Sequence, residues 1–213
     1  RQGTFSLGAG NHGGVTVTLS SSDPSRALLS SDAGNAGTAA IDVFIPDGQT
    51  GSPYFYVQGL EGVTGTVSIT ATAAGFTDGS DTSEIVPPAL RIAALATSTT
   101  TLSDDAPFYV RVGIPYSDNS TIQQAQVARA GGGGLIATVQ NSNAAVGQLV
   151  TDGSPGQTVT VLIAEGQSDS PHTVAAGGVA FDPLTGGTTV VAATIPGFIA
   201  TDAALVVVTV TSE

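Results

Sequence analysis

The sequence predicts an all-β protein made of two tandem β-sandwiches. Three observations carry that prediction: apolar and polar residues alternate, turn residues recur at short intervals, and the chain contains an internal repeat. Alternation is plain at Ile41, Val43 and Ile45, which share one face while Asp42 and Phe44 share the other. It recurs at Val67, Ile69 and Ala71 against Ser68, Thr70 and Thr72. Two is the side-chain period of a strand, so each such run has one face to bury. Gly, Pro, Asn and Asp interrupt these runs, as the turns of a sandwich require. No segment has a comparable helical face. The nearest, 121–130, overlaps in the repeat scheme the strand that enters the glycine turn at 131–134.

The repeat has a period of about 120 residues and is carried by three blocks in one order. GGVTVTLSSSD at 13–23 aligns with GGLIATVQNSN at 133–143, setting Val15, Val17 and Leu19 against Leu135, Ala137 and Val139. IDVFIPDGQTGSPYFYV at 41–57 aligns with VTVLIAEGQSDSPHTVA at 159–175, preserving Ile45/Ile163, Gly48/Gly166, Gln49/Gln167, Ser52/Ser170 and Pro53/Pro171. The pattern there is strand, turn, second strand. GTVSITATAAGF at 65–76 aligns with GTTVVAATIPGF at 187–198, and a further apolar stretch follows each, at 85–86 and at 205–210.

Composition narrows the class. Of the 213 residues 41% are hydrophobic, enough to bury a core, while aromatics are 5% and Cys, Met and Trp are absent. Charged residues are only 10%, Lys is missing, and the net charge is −12. A surface built from Ser, Thr, Gly, Asn and Gln suits pleated strands and turns more than helices, whose exposed faces favour Lys and Glu. The negative charge repels phosphate backbones and anionic lipid, so neither nucleic acid nor a membrane surface is an expected partner. No apolar run approaches the roughly 20 residues of a membrane helix. Zero Cys is compatible with the cytosol or with disulfide-free export, and the low charge with abundant Ser, Thr and Gly favours export. Without a Lys amine, no Lys–Asn isopeptide cross-link can form. Arg1 is not an initiator Met and no signal-peptide pattern follows it, so the sequence reads as a mature or excised segment.

Val86-Pro87-Pro88-Ala89-Leu90 is the natural linker, because consecutive prolines cannot donate to a ladder and hold the chain extended. It divides the chain into a first module, 1–88, and a second, 89–213.

Ser21-Ser22-Asp23-Pro24, Ile45-Pro46-Asp47-Gly48-Gln49 and Ile69-Thr70-Ala71-Thr72-Ala73-Ala74-Gly75-Phe76 together resemble the bacterial immunoglobulin-like (Big-type) repeats of large exported surface proteins. The resemblance spans nearly the whole chain, in turn and core signatures that contain no chemistry. It implies two immunoglobulin-like sandwiches in an extracellular surface fibre, stalk or adhesin. The second copy departs from the pattern at 141–144 and 164–165, and those turns are expected to differ in detail.

The second module opens with an extra stretch, 90–120, holding two strand-like segments at 90–96 and 108–114. The first module starts almost at once, with Phe5 to Leu7 aligned to Gln126 to Ala128. It therefore lacks its opening strands and exposes sheet edge and core. Either an upstream part of a longer array supplies the strand, or a neighbouring subunit donates one.

No catalytic, cofactor-binding or metal-ligating residue is nominated. His172 aligns with Tyr54, and a position that exchanges imidazole for phenol between repeats reads as a strand-face residue. His12 lies in the Gly10-Asn11-His12-Gly13-Gly14 turn. Asp47, Asp78, Asp81, Asp104 and Asp105 all sit in turn contexts, where carboxylates bond local amides. Calcium is the one metal with a case, at Asp104 and Asp105 near the module junction, although no EF-hand or nonapeptide repeat is present. The glycines at 131–134 lead into a strand without Lys, so they form a turn and not a phosphate cradle. Asn119-Ser120-Thr121 is a formal glycosylation acceptor. Tyr54, Phe55 and Tyr56 alternate faces and make no flat sugar platform, while Phe108, Tyr109 and Tyr116 lie in the extra stretch. The expected role is structural, with neighbouring modules or copies of the chain as partners. The alternative is a carbohydrate- or protein-binding accessory module of a secreted protein, whose partner is a glycan or a host-surface ligand.

Overall fold

A computed structural model describes all residues, Arg1–Glu213. It is all-β, in two compact units: residues 1–86 with 129–131, and 87–128 with 132–213. Each unit is a pair of sheets with its own core.

The first unit holds β1 (Gln2–Gly3), β2 (Val15–Ser21), β3 (Ala27–Ser30), β4 (Ala40–Ile45), β5 (Phe55–Gly59), β6 (Gly65–Thr72) and β7 (Gly79–Ile85). One sheet runs β1-β5-β3 and the other β4-β2-β6-β7, and every pairing is antiparallel. Alternation does what the sequence requires of it. Val17, Leu19, Val43, Ile45, Val67 and Ile69 turn inward to meet Leu29 and Val57, while Phe44 on the opposite face is exposed. Each fully buried aliphatic side chain of this kind contributes about 1.5–3 kcal/mol.

The second unit holds β8 (Ala89–Ala93), β9 (Ser98–Thr100), β10 (Ala106–Pro115), β11 (Ile122–Ala125), β12 (Leu135–Asn141), β13 (Gly147–Val150), β14 (Thr158–Ile163), β15 (Val179–Pro183), β16 (Gly187–Thr194), β17 (Ile199–Ala200) and β18 (Leu205–Thr211). One sheet runs β13-β15-β10-β8-β17 with β11 on β10, and the other β14-β12-β16-β18-β9. The stretch 121–130 contains strand β11 and no helix.

The two units repeat each other in register. β2 pairs β4 from Val15↔Ile45 to Ser20↔Ala40, and β12 pairs β14 from Leu135↔Ile163 to Gln140↔Thr158. β2 meets β6 from Thr18↔Thr72 to Ser21↔Ile69, and β12 meets β16 from Thr138↔Thr194 to Asn141↔Val191. Large and small residues trade places between the two cores. Phe55 faces Gly3 in the first unit, where Val179 faces Phe108 in the second. A Cβ on Gly3 would lie 2.7 Å from the Phe55 ring, so the large side chain has changed strands. In the same way Val57 lies diagonally from Ala27, whereas the Phe181 ring fills the space a Cβ on Gly147 would need.

Two turns expected to differ between the copies share their main bonds, although Asn141 at the head of one makes bonds that Ser21 lacks. Asp23 and Asn143 head the same turn: the backbone carbonyl accepts from Arg26 and Ala27 in one copy and from Val146 and Gly147 in the other. The side chains also act alike, since Asp23 accepts from the Ser25 amide and Asn143 from the Ala145 amide. Asp47 accepts from the Gly13 amide at 2.8 Å, and Glu165 from the Gly133 amide at 2.6 Å. Carboxylate and carboxamide oxygens are interchangeable acceptors in such turns. One alignment needs correction. The strand after Pro171 does not begin at Thr173, because a 3-10 turn, Val174–Ala176, intervenes and the counterpart of β5 starts at Val179.

Candidate functional site

The first unit is open where the second is closed. In the second, β8 runs antiparallel to β10 from Tyr109↔Ala93 to Gly113↔Ala89, and it buries Leu90 and Ile92. β9 then crosses to the other sheet and runs parallel to β18, with Ser98–Thr100 beside Thr209 to Thr211. Between Arg1 and Ile85 there is no counterpart of either strand.

Hydrogen bonds fix which residues border the gap. The Phe5 amide donates to Ser52 Oγ at 2.9 Å and the Ser52 amide returns to the Phe5 carbonyl. Val110 and Ser170 make the same two bonds. The Leu7 amide donates to the Thr50 carbonyl as the Val112 amide does to Ser168. Phe5 to Leu7 is therefore the counterpart of Val110 to Val112, and not of Gln126 to Ala128 as the sequence alignment had it. Residues of an antiparallel strand bond alternately to either side. Thr4 and Ser6, the counterparts of Tyr109 and Arg111, thus turn their main-chain groups toward the empty position, where these groups bond nothing in the chain.

The gap is a groove of about 460 Å³ within the first sandwich, with Phe5, Leu7, Ile69, Ala71, Phe76 and Asp81 among its lining. Phe5, Leu7, Ala71 and Ala73 are half-buried, whereas Val110, Val112, Ala193 and Ile195 at the matching positions are sealed. The β7 wall also differs in polarity. Register through β6 and β16 places Asp81 and Ser83 where the second unit has Val206 and Val208. The 3-10 turn Asp202–Ala204, which lies against β8 in the second unit, has no equivalent in the first.

The residues singled out for chemistry are dispersed. His12 is a loop staple: its Nδ1 accepts from the Gly14 amide at 3.2 Å, so the proton sits on Nε2 and is donated to the Gln49 carbonyl at 2.9 Å. The Gly13 amide and then the His12 amide hold the Asp47 carboxyl below its ordinary pKa. Gly131, Gly133 and Gly134 adopt positive φ in a turn that opens into β12. Asp105 lies close to Asp182 and Asp104; burial first and those two charges second raise its pKa. Asp78 and Asp81 flank the start of β7. No group of three His, Asp or Glu side chains is arranged to hold a metal ion. Asn119 is exposed at φ 58° in the turn after β10. Tyr54 is exposed and Phe55 buried, as alternation demands, and Phe108 is fully buried in the core.

One cluster was not foreseen. Arg111 donates to both Asp169 oxygens, Nε to Oδ1 at 2.7 Å and Nη2 to Oδ2 at 2.6 Å. His172 Nε2 stands 3.4 Å from Asp169 Oδ2, and its ring stacks on Tyr109 at 4.0 Å. Arg111 Cζ is 5.4 Å from the centre of the same Tyr109 ring. Its signal was the alternation Tyr109, Arg111 on the solvent face of β10, read only for its apolar partners. Asp169 is committed to Arg111, and the nearby Ser170 Oγ is buried as an acceptor for the Val110 amide. No hydroxyl hydrogen-bonds to His172, and the nearby Ser168 Oγ donates to Asp169 Oδ1 at 3.3 Å. The depression beside it is open and lined by residues such as Leu162, Gln167 and Pro171.

No family model and no curated protein matches the chain. Among solved structures, the C-terminal domain of the AgI/II polypeptide BspA of Streptococcus agalactiae aligns over 94% of this chain and 83% of that chain, at 8% identity and a TM-score of 0.22. Similarity at that level supports no conclusion about fold or function. No helix is long and apolar enough to cross a membrane.

Proposed function

We propose that the chain is a structural segment of an extracellular bacterial surface fibre, stalk or adhesin, with a mechanical and not a catalytic role. In this reading its sandwiches project or space other modules, and its first sandwich joins a neighbouring module or copy by accepting a strand. The observation that carries the reading is the groove along residues 3–8, at the place where the second sandwich holds β8. An open edge over a half-buried core is costly and aggregation-prone unless something covers it. A chain with only 10% charged residues and no Lys, and with cores of Val, Ile, Leu and Ala, fits a spacer better than a solvated enzyme. A sugar-binding reading gains little support, since the Tyr109 ring is already stacked on His172.

Immunogold electron microscopy with antibody against the chain, on intact cells that make it, tests this proposal. Gold along thin surface projections is the expected result. Label confined to the cell interior would overturn it.

A further inference from the structure

We infer that the groove of the first sandwich accepts an extended peptide strand of defined direction and pattern, antiparallel to residues 3–8. The strand has aliphatic side chains opposite Phe5 and Leu7, and beyond them hydrogen-bonding side chains where it runs along the end of β7, beside Glu84 to Val86. This rests on the reading of the groove as a strand acceptor and adds the chemistry of its occupant.

The second sandwich supplies the template. There Ile92 stands opposite Val110 and Leu90 opposite Val112, and both are buried. The same geometry puts two aliphatic residues, two apart, opposite Phe5 and Leu7. Between them lies a residue opposite Ser6, as Arg91 lies opposite Arg111. That intervening residue shares main-chain hydrogen bonds with Ser6, because Phe5 and Leu7 spend theirs on Ser52 and Thr50. Leaving this edge, the strand crosses to run parallel to the end of β7, as β9 does along β18. Glu84 stands there in place of Thr209, and Asp81 and Ser83 before it replace Val206 and Val208, so the wall that the crossing strand meets is more polar than in the second unit. Residues 87–101, PPALRIAALATSTTT, have the required outline: aliphatic at Leu90 and Ile92, then hydroxyl-rich from Thr97 onward.

The test adds a synthetic peptide of residues 87–101 to the full chain, with binding followed by fluorescence anisotropy of labelled peptide and by hydrogen exchange. The expected result is saturable one-to-one binding, with exchange slowed at Thr4 and Ser6. R91P in the peptide removes the donor to Ser6 and should weaken binding roughly tenfold, the scale of one lost hydrogen bond with its partner left unpaired. In the protein S6P removes an amide that bonds nothing in the chain, and it should weaken the wild-type peptide similarly without altering exchange at Val17 or Val43. Equal affinity for R91P, or binding without protection at Thr4 and Ser6, would show an apolar pocket only and overturn the inference. Absence of binding would overturn it too. So would concentration-dependent protection of Thr4 and Ser6 without peptide, which would make a second copy the occupant. Each of these failures is compatible with gold on surface projections, so the mechanical reading stands or falls separately.

Discussion

The two sandwiches share seven strands in matching register, yet they answer the same folding problem with different resources. The second closes its core with β8 and β9 from its own sequence and caps β8 with the turn at Asp202–Ala204. The first has no strand there, and its wall carries Asp81 and Ser83 in place of Val206 and Val208. The difference teaches that matching strands need not present matching faces: Phe55 packs over Gly3 where Val179 faces Phe108, and Asp81 and Ser83 line the groove where the second sandwich has valines.

The largest effect should come from breaking the strand that only the second sandwich owns. Leu90 is fully buried against Val112, and Leu90→Ala should cost about 2–5 kcal/mol, the range for an aliphatic truncation in a tight core. Leu7, which matches Val112 but is half-buried, should lose less than half as much when changed to Ala. Hydrogen exchange measures both, because it reports each unit separately where a single melting curve would merge them. Equal losses would mean that the groove is as well packed as the closed core.

A second contrast lies in a buried polar position. Asn141 donates to the Gly147 carbonyl at 2.6 Å and to Gln157 Oε1 at 2.7 Å, and it accepts from Thr189 Oγ1. Ser21 and Val67 stand at the matching places, and Ser21 Oγ is buried without a partner. Asn141→Ala should cost about 1–3 kcal/mol, since it removes a hydrogen bond from each of three neighbours, although the Gly147 carbonyl and Thr189 Oγ1 keep other partners. Ser21→Ala should fall within about 0.5 kcal/mol of wild type, or stabilise, because the oxygen it removes was already unpaired. Urea titration followed by exchange in each unit tests the pair, and a loss at Ser21 as large as that at Asn141 would break the comparison.

Most of this comparison was legible in the sequence. The repeat set β2, β4 and β6 against β12, β14 and β16, and the extra stretch before the second copy announced that the first lacked its opening strands. Alternation failed where it was short. Phe5-Ser6-Leu7 alternates like Val110-Arg111-Val112 and unlike Gln126-Val127-Ala128, but three residues are too few to outweigh position in the repeat, and the bond to Ser52, mirrored at Ser170, decides between them. Thr173-Val174-Ala175 imitates Phe55-Tyr56-Val57 for the same reason, although a turn occupies it. The polar wall was out of reach. Asp81 read as a turn residue until the β6–β7 register set it on the groove face.

The last contrast concerns an ion pair that the first sandwich lacks. Arg111 and Asp169 occupy the positions of Ser6 and Gly51, so charge braces the second sandwich where the first has none. The hydrogen bonds from Arg111 hold the Asp169 carboxyl below its ordinary value despite burial, which acts in the opposite sense; His172 and Ser168 add lesser contributions. A depressed folded pKa stabilises fully above the unfolded value, about 4, and the benefit is lost as pH falls through the folded value. Both side chains are partly exposed, so Asp169→Asn should cost only about 1 kcal/mol at neutral pH. The difference between wild type and variant should begin to shrink near pH 4 and vanish only as pH falls below the folded value, and exchange in the first sandwich should not respond at all. A difference that persists in acid would assign the stabilisation to the shape of the Asp169 side chain and not to its charge, removing electrostatics from what separates the two halves.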